Sequence, residues 1–175
     1  MLQEKIKNIH TDEELRRAMR EGVRKVADIV KSTLGPRGRN VSLPFPHGRS
    51  LITKDGVSVA MQVRLENPLE NMWAIKTIEV ASKTNEDAGD GTTTATVLAQ
   101  AIVELGLKNV TAGANPMDLK KGIDLAVEAI TEELEKIALP VKQDSEKITQ
   151  VATISTNGDE QLGSLIGEAF SKIGP

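Results

Sequence analysis

The chain has 175 residues, of which 39% are apolar and 2% are aromatic, and its net charge is −3. This length fits one domain, or one domain with part of another, and so few aromatic residues require an aliphatic core. The absence of cysteine excludes disulfides, thiolate catalysis and cysteine zinc sites, and the interspersed charges argue against a nucleic-acid-binding protein.

Membrane and export signals are not found in the sequence. No apolar stretch approaches the length of a membrane span. Residues 1–10 are polar, alternate in charge and have no apolar centre of the kind found in signal peptides. We therefore expect a cytoplasmic protein without membrane or nucleic-acid partners, and the lack of cysteine fits a reducing cytosol.

The first predicted element is a helix that begins with a capping box, in which Thr11 is the N-cap and Glu14 lies three residues further on. Apolar residues at helical spacing continue from Leu15 to Val30, and Gly35-Pro36 ends the helix. Two short β-prone runs follow, on either side of a segment rich in Pro and Gly, and they predict a small hairpin. These runs are residues 39–43 and 50–53.

Five further helices are predicted after the hairpin, so the chain should be mainly α. They cover residues 68–86, Thr92 to near Gly106, Asn115-Pro116 to Pro140, a segment capped by Asp144 and a segment capped by Asp159. In the first of these helices we expect one face to carry Met72, Ile75, Ile78 and Ser82. The helix from Thr92 has small or apolar residues on much of its circumference, which predicts a central, largely buried helix.

The most informative segment is Gly89-Asp90-Gly91-Thr92-Thr93-Thr94, which leads into this helix. Free N–H groups and the helix dipole favour anions at a helix N-terminus, glycines allow close approach, and hydroxyls can donate to phosphate. The Asp90 carboxylate would repel bare phosphate unless a cation such as Mg²⁺ lay between them. The segment therefore predicts a metal–nucleotide site or, alternatively, an ordinary loop and N-cap that binds nothing.

Three other segments, at residues 33–41, 52–60 and 153–157, are predicted as loops and accompany the first segment, which extends over residues 88–99. In this order and at these spacings, the four segments closely resemble the bacterial group I chaperonin family. The resemblance extends from about Glu21 to the C-terminus, and it favours the nucleotide site over the plain N-cap. Group II chaperonins share the Asp-Gly-Thr-Thr-Thr segment, but residues 39–41 and 56–58 resemble group I.

The resemblance implies a mainly α fold, namely the helical bundle of a chaperonin equatorial domain with a small β-hairpin. Residues 1–138 would form the N-terminal segment of this ATP-binding domain, and residues 139–175 would begin the intermediate domain. Members of the family are much longer, so we expect the apical domain and the C-terminal equatorial segment to be absent.

An ATP site follows from the same resemblance. Asp90 would hold Mg²⁺, Gly91 and the three threonines would surround the β- and γ-phosphates, and Lys54 would lie on the phosphate side. Asp55 is a candidate for an assisting catalytic role only, and K⁺ is a further candidate ligand beside ATP and Mg²⁺. The expected nucleotide-binding residues are Thr33, Leu34, Gly35, Pro36, Lys54, Gly56, Asp90, Gly91, Thr92, Thr93, Thr94, Ile154 and Ser155.

The implied function is that of an ATP-dependent protein-folding chaperonin, present as a fragment or truncated form. Its partners would be other chaperonin subunits in a ring, whereas unfolded clients and the co-chaperonin would need the apical domain. The family's water-activating aspartate lies in its second intermediate segment, so we expect weak or no ATP hydrolysis from this chain alone. The alternative is a non-enzymatic helical interaction module derived from a chaperonin.

A turn and a single residue depart from the family pattern. The turn at residues 44–48 contains Pro44 and Pro46, which lack amide donors and could alter the pairing of a hairpin that joins neighbouring subunits in the family. Trp73 stands where a small residue is usual, which suggests local repacking.

With half of the domain absent, we also expect self-association through the stripe at Leu119, Ile123, Ile130 and Leu134.

Overall fold

The computed structural model describes residues 11–35, 37–44, 49–141, 144–156 and 158–173. These residues form a mainly helical fold with a single two-stranded sheet, so the predicted fold class is confirmed. The elements are α1 (Asp12–Val30), a 3₁₀ turn (Lys31–Thr33), β1 (Val41–Pro44), β2 (Ser50–Thr53), α2 (Gly56–Gln62), α3 (Pro68–Ala88), α4 (Thr92–Thr111), α5 (Pro116–Ile137), α6 (Ser145–Ser155) and α7 (Glu160–Ile173).

The chain divides into two compact units, and we call the part up to Leu119 the first unit and the part from Lys120 the second unit. In the first unit, α1 packs against both α3 and α4, and α2 packs against α1 and α3. The core of this unit is aliphatic, as the composition requires. Its buried members are Val26, Val30, Leu43, Val59, Ala60, Val63, Ala74 and Ala81.

Local capping signals in the sequence correspond to real helix ends. Thr11 Oγ1 accepts a hydrogen bond from the Glu14 N–H at 3.3 Å, and the Glu14 carboxylate accepts one from the Thr11 N–H at 3.1 Å. The predicted capping box of α1 is therefore present. The side chains of Asn115, Asp144 and Asp159 likewise accept hydrogen bonds from N–H groups in the first turns of α5, α6 and α7.

The hairpin is antiparallel, with Val41 opposite Thr53 and Leu43 opposite Leu51. Pro44 is the last residue of β1 and lies opposite Ser50, so its missing N–H falls at the end of the ladder. The remaining turn residues 45–48, together with the segment 1–10, lie outside the described residues. Within the described part of the chain, no helix is long and apolar enough to cross a membrane.

The α1–α3 contact relies on a glycine, and the face of α3 predicted to carry Met72, Ile75, Ile78 and Ser82 is not the most buried face of that helix. The buried residues of α3 are Ala74, Thr77 and Ala81, whereas Met72 and Ile75 are each 43% exposed. Gly22 of α1 is buried against the first turns of α3. Because Gly22 faces Glu70 and Trp73 without a side chain of its own, the two helix backbones can approach closely.

Two expectations for α4 were wrong. The helix continues to Thr111 instead of ending near Gly106, because Gly106 lies inside it, in ordinary contact distance of the Leu119 side chain. The helix is not largely buried either, since Thr92 and Thr96 are its only buried residues, and Leu105 is 61% exposed. One side of α4 packs on α1 and α3, while its opposite side carries exposed Leu98, Ile102 and Leu105.

In the second unit, α6 and α7 are packed through two glycines of α7. A Cβ added to Gly163 would lie 2.0 Å from Thr153 Oγ1 and 2.8 Å from Thr153 Cα. One turn further, a Cβ added to Gly167 would lie 2.1 Å from Thr149 Oγ1. One threonine of α6 therefore packs directly onto each of these two glycines, which lie one turn apart on the same face of α7.

We expect Gly163→Ala to destabilise the second unit by about 1–2 kcal/mol, since the new methyl group overlaps backbone and side-chain atoms of Thr153. Hydrogen exchange at the α6 and α7 amides would measure the loss of protection. The matched control is Gly122→Ala in α5, where an added Cβ meets open space. That variant should gain stability by about 0.5–1 kcal/mol through helix propensity. Equal protection in both variants would contradict the interlocked packing.

Candidate functional site

Three chain segments meet at the N-terminus of α4, and each was expected to contribute to a nucleotide site. Thr33, in the turn after α1, is buried, and its Oγ1 lies 3.4 Å from Thr93 Oγ1. Gly56, the first residue of α2, lies so close to α4 that an added Cβ would be 2.1 Å from Thr93 Oγ1. Residues that are far apart in the sequence are thus brought together around Thr93.

The link between α3 and α4 depends on two glycines with left-handed backbone conformations. Gly89 has φ 70° and ends α3, where its N–H donates to Asn85 O at 2.9 Å. Gly91 has φ 78° and is the N-cap of α4. Because a glycine N-cap has no side chain, it leaves the first N–H groups of α4 without a side-chain acceptor. These N–H groups, together with the helix dipole, favour an anion.

The three threonines after Gly91 have different environments. Thr92 is buried, Thr93 is half-buried and Thr94 is exposed. Thr96, one turn further on, is fully buried, and its hydroxyl donates to Thr92 O at 2.8 Å. The Thr92 side chain is therefore packed inside the first unit, whereas the hydroxyl groups of Thr93 and Thr94 can reach a ligand.

Asp90 lies between the two glycines and is exposed. Its Oδ1 accepts a hydrogen bond from the Gly91 N–H at 2.7 Å, so the carboxylate is held beside the start of α4. The described residues contain no cluster of three or more His, Cys, Asp or Glu that could hold a metal ion. Mg²⁺ needs no such cluster, because it commonly binds one or two carboxylates, phosphate oxygens and water. A single carboxylate at this helix start fits a magnesium ion that arrives with phosphate.

Asp55 has a structural task at the beginning of α2. Its carboxylate accepts hydrogen bonds from the Ser58 N–H, at 2.9 Å, and from the Ser58 hydroxyl, and the Asp55 N–H donates to Thr53 Oγ1 at 3.0 Å. Asp55 is thus the N-cap of α2, next to Gly56 and its contact with Thr93. Lys54 and Leu34 are exposed at the rim.

The helix α2 was missed in the sequence, where residues 52–60 were interpreted as a loop. The available signal was an Asp three residues before Ser58, which is a common N-cap arrangement. The loop after α1 contains Gly35 with φ 72°, which suits its predicted place in a tight turn. Pro36, the other residue predicted there, lies outside the described residues.

Ile154 and Ser155 belong to the second unit, and the expectation that they lie in a loop was wrong. Both are in the last turn of α6, whose C-cap is Thr156. The Ser155 hydroxyl donates to Val151 O at 3.0 Å, and Ile154 is 76% exposed. The helical bonds continue past Thr153 because no Gly or Pro interrupts them. Asn157 lies outside the described residues, and a contact of Ile154 with a nucleotide stays a prediction.

Comparison with known proteins identifies the family of the chain. The model of the TCP-1/cpn60 chaperonin family matches residues 26–175. The fold is similar to the crystal structure of a group III chaperonin in the open state, with a TM-score of 0.76 and 25% identity over 91% of this chain and 32% of that chain.

It is also similar to the chaperonin gp146 from bacteriophage EL 2 (Pseudomonas aeruginosa), crystallised in the presence of ATP-BeFx. That match has a TM-score of 0.76 and 29% identity over 93% of this chain and 28% of that chain. The chain thus spans about a third of the length of these two chaperonins. The finer assignment to group I stays a prediction. The chain belongs to the TCP-1/cpn60 chaperonin family.

Proposed function

We propose that the first unit binds Mg²⁺-ATP at the N-terminus of α4 and serves the ATPase cycle of a chaperonin. The observation that carries the proposal is the convergence of Thr33, Gly56 and Thr93 beside the exposed Asp90. A helix start with a glycine N-cap, an adjacent carboxylate and threonine hydroxyls supplies the groups that a magnesium-bound polyphosphate requires.

In this proposal the residues have separate roles. The N–H groups at the start of α4 and the Thr93 and Thr94 hydroxyls bind phosphate oxygens, while Asp90 holds the metal ion. Mg²⁺, when bound, neutralises charge on the phosphates that water attacks. Lys54 adds a positive charge at the rim, and the loop at Thr33, Leu34 and Gly35 encloses the other side. Asp55 caps α2, and any assisting role in catalysis would be additional.

The larger assembly is also part of the proposal. Family membership supports subunits arranged in a ring that assists protein folding, with residues 1–138 in the equatorial domain and residues 139–175 in the intermediate domain. K⁺ is proposed only as an accessory ion. Clients and a co-chaperonin would bind through an apical domain, and ATP turnover by this chain alone should be weak.

Titration with Mg²⁺-ATP tests the site directly. We expect the melting temperature of the first unit to rise with ligand, by an amount equivalent to about 2.7 kcal/mol when the ligand reaches 100 times its Kd. Asp90→Ala should abolish the increase, because the metal loses its protein carboxylate. The control is Asp87→Ala, which removes a nearby exposed carboxylate on α3 and should leave the increase unchanged.

Two outcomes would count against the proposal. One is a wild-type chain that is not stabilised at millimolar Mg²⁺-ATP, and the other is an equal loss in both variants. Phosphate release from the same samples measures the expected weak turnover.

A second candidate function is a helical interaction module without ATP turnover. It is favoured by the exposed apolar side chains of two helices, namely Leu98, Ile102 and Leu105 of α4 and Leu125, Ile130, Leu134 and Ile137 of α5. Apolar side chains in such number are typical of surfaces that another protein covers. Light scattering distinguishes the two functions. An interaction module should associate to the same extent with or without Mg²⁺-ATP and in the Asp90→Ala variant. A chain that stays monomeric under all these conditions would exclude the module.

A further inference from the structure

The loop after α1 folds back on itself at Gly38. The Gly38 N–H donates to Gly35 O at 2.9 Å, and the Arg39 N–H donates to Ser32 O at 2.8 Å. A Cβ added to Gly38 would lie 2.2 Å from Thr33 O, 2.6 Å from the Thr33 carbonyl carbon and 3.0 Å from Gly35 O. All three neighbours are backbone atoms, so none can rotate away as the end of a side chain would.

Gly38 is required for space and not for backbone conformation. Its φ is not positive, in contrast to that of Gly35 at 72°. An alanine could therefore adopt the same backbone angles, and its only conflict would be with the Thr33 and Gly35 carbonyl groups. Substitution would displace this loop locally without straining the helix before it.

Thr33, the residue that Gly38 contacts, connects this loop to α4. The Thr33 hydroxyl donates to Val30 O at 2.7 Å, because a carbonyl oxygen can only accept. The 3.4 Å contact between the Thr33 and Thr93 oxygens is longer than a normal O–H···O hydrogen bond, so it places the two side chains beside each other and leaves the Thr93 proton available to a ligand. The position of the Thr93 side chain thus depends on where the Thr33 side chain lies.

We propose that Gly38 is a positioning residue of the nucleotide site. Its missing side chain allows the loop to close on the Thr33 carbonyl, and this closure sets the distance between Thr33 and Thr93. Gly38 itself does not contact the ligand in this account. The inference rests on the proposed function, since the positioned groups are those expected to surround the phosphates.

The test compares Gly38→Ala with wild type and with Gly106→Ala, a control inside α4 where an added Cβ makes only ordinary contact with Leu119. Amide NMR spectra without nucleotide report the positions of Thr33 and Thr93, and calorimetric titration gives the Kd for Mg²⁺-ATP. We expect Gly38→Ala to melt cooperatively, to shift the amide signals of residues 33–35 and Thr93, and to weaken binding about tenfold or more. Gly106→Ala should change none of these.

The outcomes separate this inference from the proposed function. Unchanged signals at Thr33 and Thr93 would overturn the positioning role whatever the Kd, and shifted signals with a Kd within twofold of wild type would overturn its importance for binding. Loss of cooperative melting would also overturn it, because Gly38 would then support the whole unit. If wild type does not bind Mg²⁺-ATP, the proposed function fails, while shifted Thr93 signals would still support the link through Gly38.

Discussion

Gly22→Ala should destabilise the first unit by about 3 kcal/mol, at the upper end of the usual effect of overpacking. A Cβ at residue 22 would lie 2.3 Å from the Glu70 carbonyl oxygen and 2.9 Å from Trp73 Cβ. Relief of this overlap requires α1 and α3 to separate, because the nearest atom belongs to the backbone. Separation would also disturb the ion pair between Lys25 and Glu70, which joins the same two helices.

Urea unfolding measures this effect, with Trp73, the single tryptophan in the sequence, as the fluorescent reporter at the contact itself. The control is Gly106→Ala, also in a helix of the first unit, where the added Cβ would lie 3.5 Å from Leu119 Cδ2. That change should be neutral or should stabilise by up to about 1 kcal/mol. Similar midpoints for the two variants would show that α1 and α3 do not approach as closely as described.

Gly56→Ala should damage both stability and ligand binding. The added Cβ would lie 2.1 Å from Thr93 Oγ1, so either the Thr93 side chain changes rotamer or α2 moves away from α4. We expect a loss of about 1–2 kcal/mol in the free energy of unfolding. Because Thr93 also loses its place beside Thr33, Mg²⁺-ATP binding should weaken about tenfold or more.

A double variant separates the two effects of Gly56→Ala. Thr93→Ala in the same chain removes the overlapping oxygen and leaves the new Cβ 3.3 Å from Thr93 Cβ, a tight but tolerable contact. The double variant should therefore recover stability in urea while its Mg²⁺-ATP affinity stays low, since the Thr93 hydroxyl is gone. Recovery of binding together with stability would mean that this hydroxyl has no role at the site.

Sequence patterns predicted the elements whose causes are local. Four helix caps have this local origin, because each capping side chain accepts a hydrogen bond from an N–H group no more than three residues away. A short sequence pattern is therefore enough to predict the caps at Thr11, Asn115, Asp144 and Asp159. The helix α2 was missed because its 7 residues give too few turns for a periodic apolar pattern.

Burial was harder to predict because it depends on partners elsewhere in the chain. On α3 the larger residues Met72 and Ile75 indicated one face, but the residues buried in the fold are Ala74 and Thr77. On α4 the small and apolar residues predicted a largely buried helix, although α1 and α3 cover only one side. Apolar periodicity shows which helix faces can be buried. The tertiary contacts decide which of these faces are buried in the folded chain.

The candidate site was predictable in a different way. Periodicity gave no reason to bring Thr33 next to Thr93, and the expectation came from four segments that resemble one family. The structure adds the contacts among three of those segments, and it adds Gly38, which no local signal identified. The role of a glycine that is required for space depends on which atoms lie next to it in the folded chain, and no local sequence pattern shows those atoms.

The glycines around α4 also differ in the substitutions that they permit. At Gly35 and Gly89 an added Cβ meets open space, and the restriction is the handedness of a backbone with φ near 70°. Asparagine and aspartate adopt that left-handed conformation more readily than other chiral residues, so they are acceptable there at moderate cost. At Gly38 and Gly56 the restriction is volume, which every chiral residue exceeds. Gly35 and Gly89 therefore require a left-handed backbone conformation, whereas Gly38 and Gly56 require the absence of a side chain.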